Sequence, residues 1–310
     1  MLHQASGQWK LGLMLALVTA VCWATLPVAL KLSLQVVDPL TLTWFRFAFA
    51  AVIMLLWLGR QRQLAPIVAL RGKHRLLLLA ATVLLLGNYV GYILGVQFTT
   101  PGNAQLLIQL APLLMAVGGV WVFKERFLAG QWLGLAVIVL GLGLFFRDQL
   151  FGGLVRGEAY LLGSAIVAAA AVAWAAYALI QKQLLLRLSS QQVLTAIYVV
   201  SALLLWPLAH PSALAKLDAL HWGLVLFCAL NTLVAYGAFA EALEHWQASR
   251  VSAVLATTPM LCLLSVAAVH ALWPAVIAPE HVSAVGFLGA GLVVLGSAMT
   301  SLLGQGKPEA

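Results

Sequence analysis

The sequence predicts an all-α polytopic membrane protein, with ten transmembrane helices arranged as two inverted five-helix repeats. Two observations carry that expectation: long apolar runs alternate with short polar breaks from residue 11 to residue 303, and the second half repeats landmarks of the first. Of 310 residues, 63% are hydrophobic and 8% charged, with a mean hydropathy of +1.02. A soluble domain carries about 25% charged residues, so most side chains here meet lipid or another helix.

A hydrocarbon layer about 30 Å thick takes about 20 helical residues. The first run, 11–32, is too long for a signal peptide, lacks a clear small-residue cleavage site and precedes nine others, so it reads as a retained helix. It holds Trp23, Pro27 and, near its outer end, Lys31. The second, 40–58, carries Arg46. The third, 75–96, sets Gly87, Gly91 and Gly95 along one face and contains Asn88, Tyr89 and Tyr92; such a smooth strip suits close helix packing, static or sliding. The fourth, 102–123, holds Asn103, Gln109 and Pro112. The fifth, 130–146, is one of the two shortest. The sixth, 158–180, opens on Glu158, whose carboxylate suits a helix N terminus, and contains Trp174 and Tyr177. The seventh, 193–209, is also short and includes Pro207. The eighth, 221–243, holds Asn231, Tyr236 and Glu241, with Glu244 at its inner end. The ninth, 250–273, contains Pro259, and the tenth is 282–303. Strand barrels need shorter alternating segments than these.

Placing the N terminus in the cytoplasm puts Lys10, Arg60, Arg62, Arg71, Lys73, Arg75, Lys124, Arg126, Lys182, Arg187, Arg250 and Lys307 inside, against Arg147, Arg156 and Lys216 outside. The net charge of +8 is then a positive inner rim rather than a nucleic-acid surface. The expected division is a cytoplasmic tail 1–10, a first repeat 11–146, a periplasmic linker 147–157, a second repeat 158–303 and a cytoplasmic tail 304–310, in a bacterial inner membrane.

Trp23 to Lys31 and Trp174 to Lys182 are each eight residues, and Asn103 to Pro112 and Arg250 to Pro259 are each nine. Glu125, Gly134 and Gly141 keep the separations of Glu280, Gly289 and Gly296. Three ordered sets indicate an internal repeat whose loops differ. Because five is odd, the second half enters the bilayer from the opposite face, an arrangement suited to alternating access around a central site.

Pro27, Pro112, Pro207 and Pro259 are candidate kinks, with Pro112 and Pro259 at matching places, either bending helices statically or shaping a cavity. Arg46 either faces a wet cavity and attracts a carboxylate or snorkels, as Lys31 is expected to. The rings of Trp23, Trp174, Tyr89, Tyr92, Tyr177 and Tyr236 suit the apolar body of a substrate, and Asn88, Asn231 or Gln109 its polar group; ordinary helix packing is the competing use. A buried amide must be hydrogen-bonded, so Asn88 and Asn231 point to the interior either way. Glu241 and Glu244, three apart, are candidates for proton or cation coupling or are solvated end charges. Cys22, Cys228 and Cys262 lack CxxC spacing, the seven histidines form no ligand motif, and no phosphate-binding loop appears, so neither a metal nor a cofactor is implied.

Several segments resemble the EamA-type transporters of the drug/metabolite transporter superfamily: Trp23, WFRFAFA at 44–50, TTPGNAQLLIQLAPLLMAV at 99–117, KERFLAGQWLGLAVIVLGLGL at 124–144, WAAYALIQK at 174–182 and RVSAVLATTPMLCLLS at 250–265. The resemblance implies two EamA repeats, cytoplasmic ends and export of small metabolites. It also implies a pathway surrounded by helices 3, 4, 8 and 9 with access through 1, 2, 6 and 7, which favours Arg46, Tyr89, Asn103, Gln109 and Tyr236. The family's Gly-Glu-Arg pattern after the fourth helix reads Lys124-Glu125-Arg126 here, and Pro279-Glu280-His281 in the second half.

The function expected is an exporter of amino acids or related amphipathic compounds, not an enzyme, since no catalytic set converges. A drug or other metabolite exporter of the same fold, or a membrane sensor or scaffold without transport, are the alternatives. The expected partners are a small-molecule substrate and membrane lipid, without nucleic acid; proton coupling, uniport and oligomeric state stay open.

Overall fold

The computed structural model describes residues 8–123, 128–246, 251, 254–255, 257–280 and 282–303. Its regular structure among these is helical: α1 (Trp9–Ser33), α2 (Pro39–Arg60), α3 (Ala65–Val68), α4 (Lys73–Phe98), α5 (Pro101–Leu107), α6 (Leu110–Phe123), α7 (Ala129–Arg156), α8 (Glu158–Leu184), α9 (Ser190–Leu205), α10 (Ala219–His245), α11 (Thr258–Leu272) and α12 (Ala284–Leu302). Six of them, α1, α2, α4, α8, α10 and α9 with its 3-10 extension to Leu208, are long and apolar enough to cross a membrane; Ala129–Phe145, Thr258–Leu272 and Ala284–Thr300 are shorter apolar helices. The protein is therefore an all-α polytopic membrane protein.

Polar caps fix where the helices start. The Asp38 side chain accepts from the amides of Leu40 and Thr41 at 3.1 and 3.0 Å, ahead of Pro39, which needs no amide partner in a first turn. Ser189 and Gln192 form a reciprocal capping box on α9. Asp218 caps α10, and the amide and ring of His221 hold its carboxyl below the usual carboxylate range.

The fourth apolar run, expected as one helix, divides into α5 and α6 around Ile108 and Gln109. Pro112 has no N–H for the Ile108 carbonyl four residues earlier, and that oxygen instead accepts from Ala111 at 2.9 Å. The ninth run behaves alike: Pro259 offers Leu255 no amide, and the Thr258 hydroxyl takes the Leu255 carbonyl. Pro27, by contrast, lies inside a continuous α1, and Pro207 sits in the 3-10 turn that ends α9. The fifth helix extends well past residue 146, to Arg156, before Gly157 at φ 95° turns the chain.

The main packing pairs are α7 with α12, α4 with α8, α1 with α10, α2 with α9, α1 with α11 and α6 with α8. Gly91 and Gly95 of α4 abut Ile166, Val167 and Ala170 of α8, whereas Gly87 has nothing within 4 Å. Two of the three stripe glycines thus serve one close contact, between α4 and α8.

The closest backbone approach joins α7 to α12. A Cβ at Gly141 would lie 2.7 Å from the Gly289 carbonyl oxygen, and one at Gly134 2.7 Å from that of Gly296. Residue 134 faces 296 while 141 faces 289, so the two helices are antiparallel. Replacing Gly141 with Leu is expected to cost about 3 kcal/mol by overpacking and lower the melting temperature in detergent. Gly143→Leu, where nothing lies within 4 Å, is the neutral comparison.

Candidate functional site

The Asp38 cap sets the register of α2, and eight residues on, two turns into the helix, stands Arg46. It is 3% exposed, so it does not snorkel. The 3-10 turn Pro211–Lys216 forms a roof at this end of α2: the His210 amide donates to the Thr41 hydroxyl at 2.7 Å, and Leu214 and Leu42 share one core.

Arg46 Nε donates to the Cys228 carbonyl at 3.3 Å and to Thr232 Oγ1 at 3.2 Å, both on α10. Its guanidinium carbon lies 4.9 Å from the centre of the Tyr89 ring. Among the described residues no carboxylate stands within ion-pair distance, and the two terminal nitrogens have no protein acceptor. A cation–π contact is worth about 2 kcal/mol at most. Among the described residues, this charge faces no anion of the protein's own.

Aromatic rings from six helices gather near it. Phe47 lies 4.7 Å from Tyr89 and stacks on Tyr198 at 5.8 Å, while Trp23 meets Tyr236 edge-on at 5.7 Å and Trp174 meets Tyr177 at 6.4 Å. The hydroxyls of Tyr89, Tyr198 and Tyr236 act on one another, and Tyr236 also interacts with the Trp174 side chain. Tyr92 also feels the Arg46 charge, while its hydroxyl donates to Gln105 Oε1 at 2.7 Å.

Of the residues singled out in the sequence, Trp23, Arg46, Tyr89, Trp174, Tyr177 and Tyr236 thus come together. The amides are used elsewhere. Asn88 Nδ2 donates to the Ala170 carbonyl at 2.9 Å, joining α4 to α8, and Asn231 Nδ2 to the Cys22 carbonyl at 2.7 Å, joining α10 to α1. Asn103 Nδ2 donates to Ser164 Oγ at 3.0 Å, joining α5 to α8. Gln109 lies in the break between α5 and α6, half-buried. Glu241 is exposed and 3.4 Å from His245 at the end of α10; the side chains of Glu244 and Pro112 lie outside the described residues, and Pro259 is buried at the start of α11.

Phe47, Tyr198, Thr232 and Gln105 are contributors that the apolar pattern did not mark. Phe47 and Tyr198 each stand nine residues after a helix cap, Asp38 and Ser189, and aligning the caps would have paired them.

The EamA-like transporter family matches the chain over residues 10–147 and again over 161–302. The chain belongs to this family. This EamA-like transporter is 38% identical over 301 residues to the uncharacterized inner membrane transporter YhbE of Escherichia coli, across 96% of its own length and 93% of that protein's. It is 24% identical over 295 residues to the probable amino-acid metabolite efflux pump of Escherichia coli, across 91% and 92% of the two chains. A solved structure sharing 19% identity covers 97% of this chain and 98% of its own, with a TM-score of 0.64, a likeness of fold alone.

If Asn88 and Asn231 are helix clamps, Asn88→Ala and Asn231→Ala should each destabilise the EamA-like transporter by about 1 kcal/mol, the usual worth of an interhelical hydrogen bond in a membrane. Denaturant titration in mixed micelles measures the loss, and ligand affinity at the aromatic cluster is expected to stay unchanged.

Proposed function

We propose that this protein is an inner-membrane exporter of small amphipathic metabolites bearing an anionic group, amino acids or close relatives, working by alternating access. The observation that carries the proposal is Arg46: a buried guanidinium with two unused terminal nitrogens, ringed by aromatic side chains. Those nitrogens present the paired geometry that a carboxylate accepts, and the rings offer faces to an apolar body or to an ammonium group. The inner-membrane location follows YhbE, and the amino-acid preference draws support from the relative described as an efflux pump.

In this proposal the chain crosses the bilayer ten times, with α5 and α6 together forming the fourth span and residues 251–272 the ninth. Exchange of the halves turns α1 with α10 into α8 with α4, turns α1 with α11 into α8 with α6, and returns α2 with α9 and α7 with α12 to themselves. Antiparallel α7 and α12 and the twofold family match support inverted repeats as well. The positive-inside rule then sets both termini in the cytoplasm and the end bearing Lys31 outside.

Among the described side chains, Asp38, Glu158, Asp218, Glu241 and Glu280 all stand at helix ends or between helices. That distribution favours movement of the substrate without a buried carboxylate to carry a proton.

Purified protein in liposomes is expected to move labelled amino acids saturably. Arg46→Gln should reduce flux at least tenfold for substrates with a carboxylate while sparing protein yield, and Arg46→Lys, which keeps charge but loses the planar fork, should fall between. Equal flux through Arg46→Gln and wild type would sink the assignment of Arg46.

A further inference from the structure

At the end of the bundle that carries the roof over α2, a second charged arrangement lies apart from the Arg46 cluster. Lys31, in the last turn of α1, sends its ammonium to the C terminus of α4, where Nζ donates to the carbonyls of Val96 at 2.8 Å, Gln97 at 2.8 Å and Thr99 at 2.6 Å. These oxygens belong to the last turn of a helix, where no further amide follows. An ammonium has three protons, and all three are used.

On the far side of the same corner, Glu280 comes from the connection between α11 and α12. Its Oε1 accepts from the Gly102 amide at 2.7 Å, just after the α4–α5 turn. Gly102 leaves room for this seat, since a Cβ there would run into the Glu280 carboxylate and Leu263. Lys31 and Glu280 also act on one another electrostatically. A short corner, Val96 to Gly102, is thus gripped by a cation from α1 and an anion from the α11–α12 connection. A further tie at this end joins Gln35 of the α1–α2 turn to the Val276 carbonyl at 3.3 Å.

We propose that Lys31 and Glu280 form an outer latch, holding the α4–α5 corner against α1 and α11 while the site is shut from the periplasm, and releasing it when the substrate leaves. The proposal goes beyond the transport assignment and takes its direction from it. The three bonds of Lys31 and the Glu280 bond to Gly102 join half-exposed charged side chains to backbone, so water can replace these partners on opening. The deeper contacts at the same end are apolar, with Leu30, Val96, Ala104 and Leu107 in one core. Polar ties over an apolar plug suit an element that must close tightly and open repeatedly.

Two native cysteines report on the latch without any substrate. Cys228 and Cys262 are fully buried, on α10 beside Arg46 and on α11 near Tyr92. In protein whose half-buried Cys22 is changed to Ser, a membrane-impermeant maleimide applied from either face should label them slowly. Lys31→Met, which keeps the apolar stem and removes all three donors, and Glu280→Gln should each speed labelling from the periplasmic face at least fivefold, with the cytoplasmic rate unchanged. Lys31→Arg, which retains donors and charge, should return the rate to near that of Cys22→Ser alone.

An unchanged periplasmic rate in both variants overturns the latch, as does faster labelling from both faces, which marks a loosened bundle, or from the cytoplasmic face only. A lysine that merely stabilised the fold would lower the melting temperature without this sidedness. Because labelling needs no transported compound, it separates the two claims: absent flux with sided labelling intact would defeat the transport assignment and leave the latch standing.

Discussion

Inside a bilayer no water is at hand, so each backbone oxygen that a helix leaves unmatched must be answered by another part of the chain. Much of this structure consists of such answers. The Ile108 carbonyl freed by Pro112 turns to Ala111, and the Leu255 carbonyl freed by Pro259 turns to Thr258. The end of α4 receives Lys31, and the carbonyls of Ala170 and Cys22 receive the amides of Asn88 and Asn231 as second donors. Each answer ties two helices or two half-helices together, so the demand for polar satisfaction also specifies which elements touch. Arg46 stands against this background as a charged group whose two terminal nitrogens donate to no acceptor among the described residues.

The surroundings of Arg46 are more even-handed than the charge itself. Phe47 and Tyr198, 151 residues apart and each nine past a cap, stack on one another, and Tyr89 and Tyr236, 147 apart, interact through their hydroxyls. Trp23 and Trp174, again 151 apart, both reach Tyr236. Counterparts therefore meet near the middle of the bundle. The position 151 residues after Arg46 is Ile197, an apolar residue buried in the core. A near-symmetric aromatic cluster with charge on one side gives a bound molecule a defined head and tail.

Much of this was legible in the sequence, and the exceptions have physical causes. Apolar runs located the long helices because lipid demands long uninterrupted segments, and equal spacing singled out Trp23 and Trp174, which both reach Tyr236. Asn88 and Asn231 were legible as interior, though not as clamps, because an amide's partner here is a backbone oxygen that carries no sequence signature. Whether Arg46 snorkels or is buried depended on its contacts with α10 and Tyr89, tertiary contacts between distant segments. Tyr198 was overlooked since its helix is short, and only the Ser189 cap reveals that it occupies the place of Phe47. The split of the fourth span needed one more step, tracing Pro112 back four residues to the carbonyl it cannot serve.

The α7–α12 contact bears on motion in a different way. Side chains let packed helices exchange one set of rotamers for another, and so let an interface adopt several offsets. At Gly134, Gly141, Gly289 and Gly296 the facing helix brings backbone atoms, with the side chains of Thr300, Leu292, Phe145 and Ile138 beside them, to where a Cβ would stand. Such a joint leaves little room for sliding, because moving one helix along the other carries a Cβ-bearing position toward a backbone that only glycine admits.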